Sequence, residues 1–440
     1  MWPYHEALLA TPVPRYTSYP TAADFSDAPG AVEMAAELAR IEAETPLSLY
    51  LHIPFCEQIC WYCGCNTGRT NKAARLSSYM EALDAEIDLL GALLDGRGRI
   101  ERIAFGGGSP NAIAPDIFLG LVERLKSRLN LRDPVMSVEV DPRSFTPEWA
   151  EALGEAGVSR VSLGVQTLSE PIQRAIGRVQ PLAMIETVVG QLRGAGVSSI
   201  NFDLMYGLPE QGLAELDETL SLALAMRPER IALFGYAHVP HIIPRQKQIV
   251  ATNLPDARLR FDQAALGHER IVAQGYAAIG FDHFAVPEDA IAVAARAGKL
   301  RRNFQGFTED QADILLGLGA SSISQFPGAI LQTEKNAGRY RMNILAGRLP
   351  QAHGILRSAA DQQRGHIIER LLCVGEADFS GLPDREALAA KMESFVRHDL
   401  VTLDGHVLVL KEAARPYSRV IAACFDAYRE IAPRKFSSAI

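Results

Sequence analysis

The sequence lacks any run of eighteen apolar residues, and this absence predicts no membrane-spanning helix. Its first residues, MWPYHEALLATPVPRY, have neither the basic start nor the apolar centre of a secretory signal peptide. Basic residues are not in excess either, because 44 Lys and Arg stand against 52 Asp and Glu, for a net charge of −8. This balance argues against broad affinity for nucleic acid. We therefore expect a cytoplasmic protein that binds neither membranes nor nucleic acids.

Cysteine is scarce and unevenly placed, which excludes the disulfide framework of a small secreted protein. Four of the six cysteines lie between Cys56 and Cys65, and the other two, Cys373 and Cys424, stand alone in apolar helical contexts and are expected in the core. With 440 residues, the chain is long enough for two or three structural units.

The most informative pattern is Cys56-x3-Cys60-x2-Cys63, directly after an extended apolar segment. Three thiolates on one tight loop can hold three irons of a [4Fe-4S] cluster and leave the fourth open to a small molecule. The alternative is a structural zinc knuckle completed by Cys65. Closed zinc sites usually take ligand pairs from two separate turns, and no second Cys-x2-Cys or His pair occurs here. The pattern therefore favours the cluster.

Strand-like and helix-like segments alternate through the first half of the chain. Amphipathic stretches at Leu76–Leu94 and Ile117–Leu129 separate strand-like segments. Those segments are Leu47–Phe55, Ile100–Phe105, Val135–Val140, Val158–Val165, Ser199–Met205 and Arg230–Tyr236. Six such units predict a parallel sheet that right-handed crossovers curl into a partial (β/α)6 barrel of the α/β class.

The predicted strands end in glycines and polar residues, as expected where a parallel sheet binds its ligands. Gly106-Gly-Gly-Ser-Pro is either a tight turn or a backbone surface for a ligand. Glu139, Gln166 and Asp203 are either helix caps or ligand contacts. His238 and His283 are candidates for proton transfer or carboxylate binding, although isolated histidines more often have structural roles.

The sequence predicts three regions. An extended leader and a short helix occupy 1–45, the barrel with a helical extension occupies 46–340, and a mostly helical C-terminal domain occupies 350–440. From Asp256 onward we expect longer helices. Two helices, Gln362–Cys373 and Arg385–Val396, precede a hairpin that turns at Asp404-Gly405, an order that resembles a winged helix.

Several motifs together resemble the family of oxygen-independent coproporphyrinogen III oxidases, within the radical S-adenosylmethionine (SAM) superfamily. The resemblance spans nearly the whole chain and rests on these segments: Arg15-Tyr-Thr-Ser-Tyr-Pro-Thr, Tyr50-Leu-His-Ile-Pro-Phe-Cys-x3-Cys-x2-Cys-Gly-Cys-Asn, Gly106-Gly-Gly-Ser-Pro, Glu139-Val-Asp-Pro-Arg, Tyr206-Gly-Leu-Pro, Tyr236-Ala-His-Val-Pro, Asp282-His-Phe-Ala and Asn303-Phe-Gln-Gly. Departures from the family pattern are Gly235, where Asn is common, and Val286 and Ser438, where basic residues are common.

The resemblance implies oxidative decarboxylation of two propionates of coproporphyrinogen III to vinyl groups, giving protoporphyrinogen IX for haem synthesis. It implies a [4Fe-4S] cluster and SAM, with two SAM molecules bound, together with an unidentified electron donor and acceptor. We also expect a monomer. The alternatives are a haem-handling protein of the same superfamily without decarboxylase activity, and a non-enzymatic iron-sulfur or zinc scaffold.

The resemblance also implies roles for individual residues. Cys56, Cys60 and Cys63 would hold the cluster. The cluster-bound SAM would contact Tyr50, Gly107, Glu139, Ala237 and Ile323. A second SAM would contact Tyr62, Gly108, Ser109, Gln166, Arg178 and Asp203. The expected catalytic residues are Tyr50, Glu139, Phe304, Gln305 and Cys65. Arg15 and Tyr16, with Phe304 and Gln305, are candidates for covering the active site.

Overall fold

Six parallel strands form the centre of the main sheet in the order in which they occur along the chain. The protein is described here from a computed structural model that covers residues 2–69 and 73–431. The six strands are Pro46–Ile53 (β1), Arg99–Gly107 (β2), Leu131–Val140 (β3), Arg160–Gln166 (β4), Ser199–Tyr206 (β5) and Arg230–Gly235 (β6). Each overlaps a predicted strand-like segment, so the partial (β/α)6 barrel is confirmed.

Helices cover the outer face of these strands. Strand β1 is buried from Leu47 to Ile53, because a parallel strand between core and crossover helices meets apolar groups on both faces. The crossover helices are Ala73–Leu94, Pro115–Arg128, Pro147–Ala156, Glu170–Ala175, Leu182–Gly194 and Leu213–Ala225. Gly157 and Gly196 follow two of them with φ of 77° and 86°, a left-handed conformation that glycine adopts without side-chain strain where a helix ends. No helix in the described ranges is long and apolar enough to cross a bilayer.

Between the helix Ala257–Ala273 and the C-terminal unit, the expected run of longer helices is wrong. A seventh parallel strand, Ile314–Leu318 (β7), pairs with β1, and antiparallel strands extend the sheet on both sides. These strands are Ala277–Ile279, His283–Ala285, Ile323–Gln325, Ala329–Thr333 and Gln351–Leu356, while Arg301–Asn303 and Gly306–Thr308 form a separate hairpin. Strands of three to six residues are too short to show a clear period, and long-range pairing decides their conformation.

A charge cluster closes the barrel at the amino-terminal ends of its strands. Glu309 accepts a hydrogen bond from Arg102 at 2.7 Å and another from Arg160, and lies 3.6 Å from Arg230. Burial alone would raise the pKa of Glu309, but the three guanidinium groups outweigh burial and lower it to about 2. A carboxylate paired in this way stabilises the partly buried arginines, of which Arg230 also pairs with Asp289 at 2.7 Å and Arg102 also lies 3.5 Å from Asp310.

The C-terminal unit contains the predicted helix, helix, hairpin order. Helices Ala359–Cys373 and Arg385–Arg397 pack with the hairpin strands Val401–Asp404 and Val407–Leu410, and Glu376–Asp378 adds a third strand. The predicted boundary at residue 350 needs correction, because Gln351–Leu356 pairs with Ala329–Thr333 in the main sheet. Three further short helices are Ala337–Leu345, before this unit, and Ser418–Ala423 and Tyr428–Ile431, near the end of the described residues. Ser438 lies outside the described residues.

The leader runs across both the barrel and the C-terminal unit. It contains the helices Glu6–Leu9 and Ala31–Ala39. The hydroxyl of Tyr16 donates to Asp426 at 2.9 Å, and the backbone N–H of Ala427 donates to the hydroxyl of Tyr19 at 3.1 Å. The leader is therefore fastened to the last described part of the chain.

Candidate active site

The loop that follows β1 carries the three predicted cluster ligands at the carboxyl-terminal end of the barrel. A short parallel pair, Phe55–Cys56 with Gly68–Arg69, closes the loop on itself. The backbone N–H of Trp61 donates to the carbonyl of Ile176 at 3.1 Å, which fixes the loop to the segment after β4. These contacts with the rest of the protein hold the loop in one conformation.

Two guanidinium groups contact the sulfur of Cys60, which is 5% exposed. Arg143 and Arg178 each place a nitrogen 3.3 Å from this Sγ. Both arginines also pair with Asp141, at 2.6 Å and 3.3 Å respectively. Burial favours protonation of Asp141, but Arg178 and Arg143 outweigh burial and lower its pKa. The two arginines therefore place positive charge beside a predicted cluster ligand.

The other thiols differ in their surroundings. Burial raises the pKa of Cys56 to about 12, so this thiol would ionise near neutral pH only if a bound metal supplied the driving force. The backbone N–H of Cys65 donates to Sγ of Cys63 at 3.4 Å, and contact with Cys65 lowers the pKa of Cys63. Among residues 2–69 and 73–431, no three Cys, His, Asp or Glu side chains converge on a single-ion site. A four-iron cluster needs no such convergence, because each thiolate binds its own iron. The three thiols of the loop therefore fit such a cluster.

The glycines at the end of β2 allow their neighbours to approach closely. A Cβ at Gly106 would lie 2.5 Å from the Glu139 carboxylate, and one at Gly107 would lie 2.4 Å from the His52 ring. A Cβ at Gly108 would lie 2.4 Å from the carbonyl oxygen of Phe55. Gly107 has a φ of 106° and donates its N–H to Glu139 at 3.2 Å. Side chains at these positions would displace both the carboxylate and the cluster loop.

Glu139 and Asp203 line a cavity of about 380 Å³ inside the barrel. Burial, with a contribution from Asp203, raises the pKa of Glu139 to about 7. Burial also raises the pKa of Asp203, although hydrogen bonds from Ser162 and Asn201 oppose the shift. Gln305 lies on the wall of the same cavity. Three predicted site residues from separate parts of the chain thus surround one interior space.

Tyr50 lies beside this space, and the ring of Phe304 meets it edge-on at 4.9 Å between centroids. The hydroxyl of Tyr50 is 3.2 Å from Nδ1 of His52. Burial raises the pKa of Tyr50, and the charges of Glu139 and Cys65 raise it further. The structure therefore brings together all five of the expected catalytic residues, with Cys65 at the exposed edge.

The residues expected to contact a second SAM form two groups. Gly164 is the common neighbour of Gln166 and Arg178, because a Cβ there would lie 3.1 Å and 2.8 Å from their side chains. Tyr62 is close enough to Arg178 for that charge to affect its pKa. Ser109, in contrast, hydrogen-bonds to Asn111 at 2.5 Å and accepts the N–H of Asp141 at 3.2 Å. Its hydroxyl is already used within the turn.

Gln246 is a positioning residue that the sequence analysis missed. Its side-chain amide donates to the carbonyl oxygens of Tyr62, at 2.9 Å, and Ala237, at 3.1 Å. It thereby links the cluster loop to the segment after β6. No local pattern marks a buried glutamine within a short 3-10 helix, Pro244–Gln248. The motif Glu139-Val-Asp-Pro-Arg contains Asp141 and Arg143, but the motif alone predicts no role for either residue.

The leader residues have different positions from those expected of a shared cover. Arg15 donates to the carbonyl of Gly235 at 2.9 Å, at the end of β6. Tyr16, whose φ is 48°, directs its hydroxyl to Asp426 and serves as an anchor to the C-terminal unit.

The other predicted site residues lie on or near neighbouring strands. The backbone of Ile323 packs against Gly317, the β7 residue that pairs with Tyr50. His238 bonds to Tyr236 at 2.9 Å, and His283 bonds to Asp282 at 2.6 Å.

Known proteins share this arrangement over almost the entire chain. A model of the radical SAM superfamily matches residues 50–223. The oxygen-independent coproporphyrinogen III oxidase of Bradyrhizobium diazoefficiens is 40% identical over 437 residues, 97% of each chain. The chain belongs to this oxidase family. The family member of Pseudomonas aeruginosa is 35% identical and covers 94% of this chain and 93% of its own.

A solved structure of the oxidase family agrees with the fold. Coproporphyrinogen III oxidase from Escherichia coli, described as a radical SAM enzyme, matches with a TM-score of 0.90 and 32% identity over 97% of this chain and 99% of its own. Membership of the oxidase family favours the oxidase over the haem-handling alternative. The family and fold predictions are confirmed.

Proposed function

We propose that this protein is an oxygen-independent coproporphyrinogen III oxidase that converts two propionates of coproporphyrinogen III to vinyl groups. The observation that carries the proposal is the three-cysteine loop at the mouth of a barrel cavity lined by Glu139, Asp203 and Gln305. Each propionate would lose one hydrogen atom, one molecule of CO2 and one electron. A one-electron acceptor takes that electron.

The chemistry depends on a [4Fe-4S] cluster and SAM. When bound, the cluster would supply a reducing electron, and SAM would supply a primary carbon radical able to take hydrogen from an unactivated C–H bond. Cys56, Cys60 and Cys63 would hold the cluster. Arg143 and Arg178 stabilise the thiolate of Cys60 through charge-assisted hydrogen bonds. Tyr50 and Phe304 exclude water from the space beside them, since Tyr50 is only 6% exposed. Exclusion of water protects a radical from side reactions.

We propose two SAM sites at the carboxyl-terminal end of the barrel, one of which meets this cavity at Glu139 and the other at Asp203. One molecule, on the cluster, contacts Tyr50, Gly107, Glu139, Ala237 and Ile323. The second contacts Tyr62, Gly108, Ser109, Gln166, Arg178 and Asp203. Glu139 and Asp203 support this assignment because carboxylates accept hydrogen bonds from the ammonium and ribose hydroxyl groups of SAM.

We also propose that the protein acts as a monomer in the cytoplasm, without nucleic-acid or membrane partners, and takes electrons from a separate donor. Its leader and C-terminal unit contact each other within one chain, so no second copy is needed to fasten the leader. An oxygen-sensitive cluster and six unpaired cysteines fit a reducing compartment.

The test is an anaerobic assay of the reconstituted protein with SAM, a reductant, an electron acceptor and coproporphyrinogen III, followed by mass spectrometry. Loss of two carboxyl groups together with 5′-deoxyadenosine supports the proposal. Formation of 5′-deoxyadenosine without decarboxylation contradicts the substrate assignment. Stoichiometric haem binding without vinyl products would favour the haem-handling alternative.

A further inference from the structure

A two-stranded hairpin presents two of the expected catalytic residues to the barrel cavity. Its strands, Arg301–Asn303 and Gly306–Thr308, pair with each other in a sheet of their own. Phe304 and Gln305 form the turn between them. The ring of Phe304 meets that of Tyr50 edge-on at 4.9 Å, and Gln305 lines the cavity. We call this segment the cavity hairpin.

The cavity hairpin has little stability of its own. An isolated two-stranded hairpin is marginally stable at best in water. Two-residue turns between strands favour Asn-Gly and other pairs that contain glycine, because the turn types that match the twist of the strands require positive φ. The pair Phe304-Gln305 contains no glycine. Contacts with the rest of the protein must therefore hold these two side chains at the cavity.

Glu369 provides such a contact at the base of the hairpin. It lies on the helix Ala359–Cys373 of the C-terminal unit. One oxygen of its carboxylate accepts a hydrogen bond from Nε of Arg301 at 3.0 Å and another from the backbone N–H of Arg302 at 2.9 Å. Nη2 of Arg301 also donates to Asp313 at 3.2 Å. The carboxylate of Glu369 therefore holds both a side chain and the backbone of the first strand.

The contact between Glu369 and Arg301 joins two charged groups. The side chain of Glu369 is 24% exposed and that of Arg301 is 32% exposed, so water screens the pair only in part. Burial alone would lower the pKa of Arg301, but Glu369 and Asp313 outweigh burial and raise it. Hydrogen bonds between ionised groups are shorter and stronger than those between neutral groups. The pair can therefore hold the hairpin at a fixed distance from the helix.

The next residue, Arg302, fastens the same strand to the leader. Its guanidinium group lies over the ring of Phe307 at 4.3 Å. Nε donates to the carbonyl of Tyr16 and Nη2 donates to the carbonyl of Arg15, each at 3.2 Å. The leader is itself bonded to the C-terminal unit through Tyr16 and Asp426. The two supports of the first strand are therefore joined to each other.

The second strand of the hairpin is held independently of the C-terminal unit. It leads directly into Glu309, which accepts hydrogen bonds from Arg102 and Arg160 in the charge cluster. Loss of the Glu369 contact would therefore release one strand and leave the other in place. The turn between the strands would shift rather than detach.

We propose that Glu369 is a positioning residue, which couples the C-terminal unit to the cavity hairpin and so holds Phe304 and Gln305 at the reaction space. This inference rests on the proposed function, which gives those two side chains their part in the reaction. The C-terminal unit thereby contributes to catalysis, although none of its described residues lines the barrel cavity.

The test compares three variants of the cluster-loaded protein under anaerobic conditions. Glu369→Ala removes the acceptor, whereas Glu369→Gln keeps an oxygen that can accept both hydrogen bonds. Glu393→Ala is the matched control, because it removes an equal charge from an exposed position on the helix Arg385–Arg397 of the same unit. The thermal midpoint and the iron content of each variant establish that it is folded and loaded.

We expect Glu369→Ala to lower the kcat of decarboxylation by roughly tenfold or more, because a displacement of about 1 Å far from the reacting atoms can cost about 100-fold. The KM for coproporphyrinogen III should change little, since Glu369 does not line the cavity. Formation of 5′-deoxyadenosine should continue, so fewer vinyl groups should form for each molecule of it. Glu369→Gln should recover most of the lost kcat, and Glu393→Ala should match wild type.

Hydrogen exchange of the backbone amides at 301–308, followed by mass spectrometry, provides a measurement that does not depend on turnover. Exchange should be faster in Glu369→Ala than in wild type and close to wild type in the other two variants. Unchanged exchange in Glu369→Ala would overturn the coupling, and faster exchange with a wild-type kcat would overturn the positioning role. Both results leave the proposed function intact. Faster exchange in Glu369→Ala, with no decarboxylation by wild type, would retain the coupling and refute the function.

Discussion

Nη1 of Arg178 lies 3.3 Å from Sγ of Cys60, and the same guanidinium donates to the carbonyl of Gly164 at 2.7 Å. One side chain thus joins the cluster loop to β4. Such outer contacts orient a ligand and tune its charge without binding the metal.

Removal of this contact should loosen the cluster. For Arg178→Gln we expect iron loss to a chelator to be at least about tenfold faster, the typical lower bound for a lost supporting contact. The measurement is the decay of cluster absorption under anaerobic conditions. The matched control is Arg174→Gln, an exposed residue paired with Glu170. Equal decay in both variants would show that Arg178 does not support the cluster.

The thiols near the cluster loop should separate into ligands and non-ligands. Cys60→Ser should lose the cluster and all formation of 5′-deoxyadenosine, because a ligand thiolate is gone. Cys65→Ala should keep its iron and sulfide, because the backbone N–H at position 65 can still contact Cys63. It should lose decarboxylation, because the thiol is predicted to be catalytic. Iron analysis and product mass distinguish the two results. Cys373→Ser, at a buried thiol of a C-terminal helix, is the control for thiol loss.

Glu86 should make stability depend on pH. It accepts from Gly319 at 2.7 Å and Tyr340 at 2.6 Å, and burial raises its pKa from 4.5 to about 7. A raised carboxyl pKa stabilises the fold below pH 4.5, and this contribution is lost as pH rises through 7. Relative to Glu86→Gln, the free energy of unfolding of wild type should fall by up to about 3 kcal/mol between pH 5 and 8, at about 1.4 kcal/mol per pKa unit.

The measurement is the thermal midpoint of the cluster-loaded protein at both pH values. The difference between Glu86→Gln and wild type should grow with pH, whereas Glu81→Gln, exposed on the same helix, should track wild type. A constant difference would mean that Glu86 ionises at its ordinary pKa.

A side chain at Gly235, at the end of β6, should displace its neighbours. In Gly235→Ala the added methyl would displace Tyr206 and Arg260, so the KM for coproporphyrinogen III should rise several-fold with little change in iron content. The control is Gly120→Ala, where nothing lies within 4 Å of the added atom, and a helical glycine replaced by alanine gains roughly 0.5–1 kcal/mol. A wild-type KM in Gly235→Ala would show that Tyr206 and Arg260 accommodate the methyl group without effect on the substrate.

The sequence predicts features that repeat or that lie close together in the chain. Strands β1 to β6 follow from buried apolar runs, and Cys56, Cys60 and Cys63 follow from their spacing. Contacts between distant residues are a different matter. Nothing near Gln246 indicates that its amide joins Tyr62 to Ala237, and nothing near Glu309 indicates that it meets Arg102, Arg160 and Arg230. The short strands after residue 276 depend on pairing across the sheet in the same way.

The bond between Tyr16 and Asp426 also sets an order of events during synthesis. The barrel strands are complete at Gly235, but 191 residues must follow before Asp426 is made and the leader can be fastened. At about 5–20 residues per second this takes roughly 10–40 s. During that interval the leader has neither of its hydrogen bonds to Asp426 and Ala427. The six strands and the cysteine loop are therefore synthesised well before the first residues can take their final place.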